Sequence, residues 1–302
     1  MKNQPKRINR QVWWRLLRPH TLTAAFVPVS VGTALALEAG QVNIPLFLVM
    51  LLAALLIQSA TNMFNEYYDY VKGLDTSESV GIGGTIVRDG VQAPTVLYIA
   101  IVFYVLAIVA GIYICAASSW WLAAVGLVCM AAGYLYTGGP YPIAYSPLGE
   151  ILSGVLMGTT IILISFFIQT NTISLESVLV SVPITVLIGS ILLSNNIRDL
   201  DGDRAKGRRT VPILLGRSNA ITLLAALFTF SYLWVTGLVL MSIISPWALL
   251  ALVSITKARQ AVGGFRGKSR AAEMMPAMQA TAQTNTIFGL LLAVGVTISC
   301  RF

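Results

Sequence analysis

Asn195-Asn196-Ile197-Arg198-Asp199-Leu200-Asp201-Gly202-Asp203 closes one long apolar run of this chain, and Asn65-Glu66-Tyr67-Tyr68-Asp69 closes another, continuing to Asp75. The chain has only twelve Asp and Glu in 302 residues. Six of them, Glu66, Asp69, Asp75, Asp199, Asp201 and Asp203, lie in these two stretches. Carboxylates beside a bilayer are costly and mark an ion, a substrate or a pathway. The two stretches share a spacing: Asn65 and Asp69 are four apart, as are Asn195 and Asp199, with an offset of 130 residues for both. That pattern reads as an internal duplication with one acidic site in each half.

Outward from these stretches the chain is apolar. It is 56% hydrophobic and 11% charged, which excludes a soluble domain and points to an all-α polytopic membrane protein. Apolar runs predict nine spans, near 21–38, 44–64, 95–115, 119–136, 148–169, 174–194, 218–241, 244–257 and 283–300. A split near Leu148 gives halves of about 21–147 and 148–302 within one transmembrane domain, 21–302. Residues 1–20 read as an N-terminal interfacial segment: Gln11 to Arg18 is amphipathic, with Trp13, Trp14 and arginines suited to the headgroup layer. If the chain alternates nine times, 19 of its 20 Lys and Arg fall on one side. The positive-inside rule makes that side the cytoplasm, with the N-terminus inside, the C-terminus outside and both acidic stretches at the cytoplasmic face. The net charge of +8 therefore needs no nucleic-acid partner. Cys115, Cys129 and Cys300 have neither metal-ligand spacing nor the number for a disulfide framework.

The chemistry follows from helical spacing. Asn65 and Asp69 share one helix face, and Asn195, Asp199 and Asp203 recur on successive turns of another. Such oxygens suit Mg²⁺, which takes one or two carboxylates together with phosphate oxygens and water. The expected metal set is Asn65, Glu66, Asp69, Asp75, Asn195, Asp199 and Asp203. Lys72, Arg88, Arg198, Lys206 and Arg208 lie on the same short stretches and suit a diphosphate. Gly73, Gly81, Gly83, Gly84 and Gly90 would let the first loop fold closely over an anion. A third element, Tyr134 to Ser146, is rich in Tyr, Gly and Pro and carries no charge. Its Tyr136, Tyr141 and Tyr145, with His20, the single histidine, are the candidates for acceptor binding. Asp69, Asp199, Tyr141 and Tyr145 are the candidates for the chemical step. These parts point to an allylic diphosphate ionised with Mg²⁺ in a membrane cavity, and to a carbocation held against aromatic and apolar walls. A cation transporter is the alternative of another class. Transporter sites lie near the midplane, whereas these acids are at span ends among Arg and Lys that would repel a cation.

Arg18-Pro19-His20-Thr21-Leu22, the two acidic motifs with Gly73, Asp75, Gly207 and Thr210, and Tyr136-Thr137-Gly138-Gly139-Pro140 together resemble the UbiA superfamily of intramembrane aromatic prenyltransferases, from about residue 13 to 300. The resemblance implies helices around a central cavity, with the acidic motifs facing each other under a cytoplasmic cap in the plasma membrane of a bacterium. It is strongest to the branch acting in menaquinone biosynthesis. That branch implies transfer from a polyprenyl diphosphate to 1,4-dihydroxy-2-naphthoate, giving demethylmenaquinone, diphosphate and CO₂, with Mg²⁺ as cofactor. Two departures from the wider superfamily pattern stand out. Glu66 replaces the first Asp of motif one, and Gly73 stands where its last Asp would be, with Asp75 two residues on. The chain also lacks the Lys that hydroxybenzoate-using relatives carry after Tyr-Pro, having Tyr141-Pro142-Ile143-Ala144-Tyr145 instead. Hydroxybenzoate, homogentisate or a porphyrin are the alternative acceptors.

Overall fold

A computed structural model describes residues 10–75 and 84–299. Gly81, Gly83, Cys300 and the first nine residues of the expected interfacial segment lie outside the described residues. Every regular element among the described residues is helical. In chain order these are α1 (Arg10–Leu17), α2 (Thr23–Glu38), α3 (Ile44–Val71), α4 (Thr85–Asp89), α5 (Ala93–Ala117), α6 (Trp121–Leu135) and α7 (Gly149–Thr170). There follow α8 (Leu175–Ala205), α9 (Val211–Leu215), α10 (Arg217–Leu240), α11 (Ile255–Phe265) and α12 (Ala271–Ser299). Six of them, α3, α5, α7, α8, α10 and α12, are long and apolar enough to cross a membrane alone. The segment Arg10–Thr21 meets α2 at a bend of 52°.

The helices differ from the sequence expectation at their ends, and the differences build the site. The apolar runs end near 64 and 194, but α3 continues to Val71 and α8 to Ala205. Both acidic stretches are therefore helical, not loop. Each helix stops in the same way, with a lysine cap (Lys72, Lys206) followed by a left-handed glycine, Gly73 at φ 67° and Gly207 at φ 76°. The span expected at 244–257 is not one α-helix: Pro246–Ser254 is a 3₁₀ helix that runs into α11. The N-termini of α3 and α8 are capped by Asn43, which accepts from the Leu46 N–H, and Ser174, which accepts from the Ser177 N–H.

Small residues let the membrane helices approach closely, as the absence of a hydrophobic drive between helices in lipid requires. Gly154 and Gly158 of α7 sit against Thr185 of α8, and a Cβ at Gly158 would lie 2.6 Å from the Thr185 Cα. A Cβ at Gly189 of α8 would lie 2.9 Å from the Glu150 carbonyl oxygen. The turn Val155–Thr160 of α7 is π-helical, and there Thr159 Oγ1 lies 2.7 Å from Thr185 Oγ1 and 3.1 Å from Ser181 Oγ. The largest core cluster joins α2, α7, α8, α10, α11 and α12 around Phe265, Phe288, Leu187 and Leu224. A second joins α2 to α3, α5 and α6 around Met50, Ala54 and Leu122. A third seats α1 on α3 and α5 through Val12, Leu16 and Met63, leaving Trp14 61% exposed.

Gly158→Leu should force α7 off α8, because the obstructing atoms are backbone. Overpacking of this kind costs about 1–3 kcal/mol. The melting temperature in detergent should fall, and an unchanged value would show that the two helices are not packed here.

Candidate active site

The two acidic helices bring their C-terminal ends together, and Arg208 lies between them. Its guanidinium donates to Asp69 Oδ1 at 2.9 Å and to Asp203 Oδ1 at 3.1 Å. The offset of 130 equates Asp69 with Asp199 in sequence, while the pair that meets on Arg208 is Asp69 and Asp203, each three residues before its lysine cap. Asp199 is one turn deeper. It is held by Arg198, whose Nε donates to its Oδ1 at 2.7 Å. Helix C-termini carry partial negative charge, so carboxylates in the last turn are disfavoured there unless cations face them. Burial works against the Arg208 charge, but Asp69 and Asp203 more than offset it and hold its pKa above the usual guanidinium value.

Further contacts brace the site. Lys206 Nζ donates to the Leu74 carbonyl, linking the second motif to the first. Lys72 Nζ donates to the Thr137 carbonyl at 2.6 Å, and Thr137 Oγ1 donates to Asn65 Oδ1 at 2.8 Å. The Arg209 N–H donates to the Tyr145 carbonyl at 3.0 Å. The Tyr145 ring takes the Arg208 guanidinium at 5.3 Å and the Lys72 ammonium at 5.6 Å from its centroid, within cation–π range. Asp75 stays beside Asp69, and its pKa is raised to about 6, first by burial and then by the Asp69 charge.

Several expected residues have other employment. Glu66 is 1% exposed and its carboxylate is full: Oε2 accepts from Arg18 and the Gly84 N–H, and Oε1 from Thr85 Oγ1 and the Ile86 N–H. It pins the start of α4 and has no lone pair left for a metal. Arg198 faces Asp199 and the sulfurs of Met275 and Met278, not an open site. The Arg88 side chain lies over Gly84. Tyr141, flanked by Pro140 and Pro142, is 92% exposed and lies outside the cavity. His20 is also absent from the cavity lining, although Arg18 and Thr21 on either side of it contribute.

A cavity of about 440 Å³ begins at this cluster. Its polar end carries Arg18, Asn65, Tyr136 and Asn195. Its body runs along α5 and α6 to Met50, Cys115 and Leu122, lined almost wholly by apolar side chains. From Gly133 to Leu122 that is about 16 Å along α6. Arg18 was not among the expected site residues. Asn62 places it by donating to the Leu17 carbonyl and to Thr21 Oγ1, both at 2.9 Å. The signal for it lay in the Arg-Pro-His stretch, where only the histidine was singled out. Glu150, buried at the start of α7, was also missed, and its signal was the rarity of acids in this chain.

The donor set fits a hard divalent cation. Asp69, Asp199 and Asp203 supply carboxylates, and Asn65 and Asn195 supply amide oxygens. Asn195 Oδ1 and Asp203 Oδ2 are buried with no hydrogen-bond partner among the described residues. Buried acceptors left unpaired are expensive, and these two lie two helical turns apart, so separate cations at the two levels of α8 would satisfy them.

Fold and site together define a polytopic helical membrane protein with a two-motif acidic site above an apolar cavity. The chain belongs to the UbiA prenyltransferase family, whose sequence profile matches residues 25–275. It is 56% identical over 289 residues to the 1,4-dihydroxy-2-naphthoate octaprenyltransferase of Bacillus subtilis, covering 96% of this chain and 93% of that one. It is 28% identical to the enzyme of the same name from Escherichia coli, covering 96% of each. A UbiA homolog from Archaeoglobus fulgidus, solved with GPP and Mg²⁺, shares the fold with a TM-score of 0.65 at 16% identity, covering 93% of this chain and 99% of that one.

Arg208→Gln should leave Asp69 and Asp203 as unpaired buried neighbours. Breaking such a pair costs about 3–5 kcal/mol. The melting temperature without Mg²⁺ should drop, and added Mg²⁺ should restore part of the loss. A variant as stable as the wild type without metal would show that Arg208 does not hold the two motifs together.

Proposed function

We infer that this chain transfers a polyprenyl group from an allylic polyprenyl diphosphate to 1,4-dihydroxy-2-naphthoate, with release of diphosphate and CO₂, as a step of menaquinone biosynthesis. The observation that carries the reaction class is a cavity that is polar at one end, where Asn65 and Asn195 of the two acidic motifs line it, and apolar along its body. The 56% relative, matched across both motifs, supports the choice of acceptor. Membership of a prenyltransferase family leaves the cation-transport alternative without support.

The residues divide the work. Asn65, Asp69, Asn195, Asp199 and Asp203 would hold Mg²⁺, and Asp75 stands close enough to join them. Bound there, Mg²⁺ would neutralise the charge of a leaving diphosphate. Arg208, Lys72 and Lys206 stand beside the acidic motifs and would take the diphosphate oxygens as it departs. The apolar body would receive the tail and keep water from the allylic cation. Tyr136, at the polar end of the cavity, and Tyr145, beside Arg208 and Lys72, would shield that cation, while Tyr136 and Arg18 would orient the acceptor. Bond formation at the carboxylate-bearing carbon, followed by loss of CO₂, restores aromaticity and leaves a prenylated quinol. We further propose nine crossings with the N-terminus and the site at the cytoplasmic face, α1 lying in the interface, and halves of about 21–147 and 148–302.

The test uses purified protein in nanodiscs with Mg²⁺, geranylgeranyl diphosphate and ¹⁴C-carboxyl-labelled acceptor. Metal-dependent ¹⁴CO₂ should appear in step with prenylated quinol. Asp69→Asn and Asp199→Asn should each abolish both products while the protein remains folded. Near-normal turnover in either variant would sink the metal–diphosphate reading. Tyr145→Phe should slow turnover less than the Asp changes, since its ring and not its hydroxyl faces the cations. A loss as complete as theirs would assign chemistry to the hydroxyl.

A further inference from the structure

Glu150 is 8% exposed at the start of α7 and plays no part in the reaction above. Its Oε1 accepts from Asn196 Nδ2 at 2.9 Å. Its Oε2 is buried with no hydrogen-bond partner among the described residues. Asn196 adjoins Asn195, a cavity-lining candidate ligand whose Oδ1 is unpaired. One buried carboxylate thus ties the start of α7 to the helix that carries the second motif. At the first motif the buried carboxylate is Glu66, which holds the Gly84 and Ile86 N–H groups at the start of α4.

We propose that Glu150 is a positioning residue for the diphosphate site. It fixes the rotation of α8 through Asn196, so that the adjacent Asn195 faces the cavity. A buried carboxylate is a costly tether. Here it joins α7 to the helix whose rotation sets where Asn195 points. The inference rests on the diphosphate site proposed above and is independent of which aromatic acceptor is used.

The experiment measures binding of inorganic diphosphate with Mg²⁺ to the full chain in nanodiscs by calorimetry, together with KM for donor and for acceptor. Glu150→Ala should weaken diphosphate binding about tenfold, the usual effect of removing an outer-shell partner. KM for the donor should rise while KM for the acceptor stays as it was. Glu150→Gln, whose carbonyl still accepts from Asn196, should recover most of the loss. Asn196→Ala should move the donor KM in the same direction, and it carries the test if Glu150→Ala does not accumulate. Wild-type diphosphate binding in Glu150→Ala overturns the proposal, as does an equal rise in both KM values, or an unchanged donor KM in Asn196→Ala. Should wild type bind diphosphate but not turn over the naphthoate, the acceptor assignment fails and this proposal stands on the binding data. If wild type does not bind diphosphate, both fall.

Discussion

Everything at the polar end of this molecule depends on holding two carboxylates at the negative ends of two membrane helices. Asp69 and Asp203 lie in the last turns of α3 and α8, where the helix dipoles oppose them and little water is present to screen them. Left alone, these helix ends would repel each other. The Arg208 fork reconciles them, and it comes from the loop that leaves one of the two helices. The same charge balance makes the site responsive. A cation bound between the motifs, or an anion arriving at Arg208, changes the balance that holds α3 and α8 together.

The lysines illustrate how the fold guards that balance. Lys72 and Lys206 cap their own helices and reach across to carbonyl oxygens of neighbouring segments, Thr137 and Leu74. Each cation satisfies an orphan backbone acceptor while staying beside the site. Tyr145 adds a ring that faces both Arg208 and Lys72. The mouth is therefore a closed circuit of four chain segments, in which cations are stored on weak acceptors that a diphosphate oxygen would outcompete.

The all-helical membrane architecture was legible because it rests on long apolar runs, which the bilayer leaves no other way to fold. The acidic motifs were legible because acids are scarce in this chain and their spacing is helical. What sequence could not give was direction at atomic scale. Glu66 and Asp69 are three apart on α3, yet one is spent on Gly84, Thr85 and Ile86 and the other faces Arg208. The deciding partner of Glu66 lies eighteen residues or more away in sequence. Tyr141 and Tyr136 share one aromatic stretch, but two prolines set Tyr141 on the crest of the turn while Tyr136 closes the cavity. Apolar runs also hide helix ends: α3 and α8 continue past the hydrophobic pattern because lysine caps and left-handed glycines, not hydropathy, stop them.

The contrast between the two ends of the cavity follows from one requirement. Ionising an allylic diphosphate needs strong charge stabilisation where the diphosphate leaves and none where the tail lies, since water or a nucleophile there would intercept the cation. The chain meets both demands by concentration. Half of its acids are confined to two helix ends, and the walls of α5 and α6 carry none. Low charge density elsewhere is thus part of the chemistry as well as a condition of membrane residence. It keeps the dielectric low around the mouth, where each remaining charge acts with more force than it would in water.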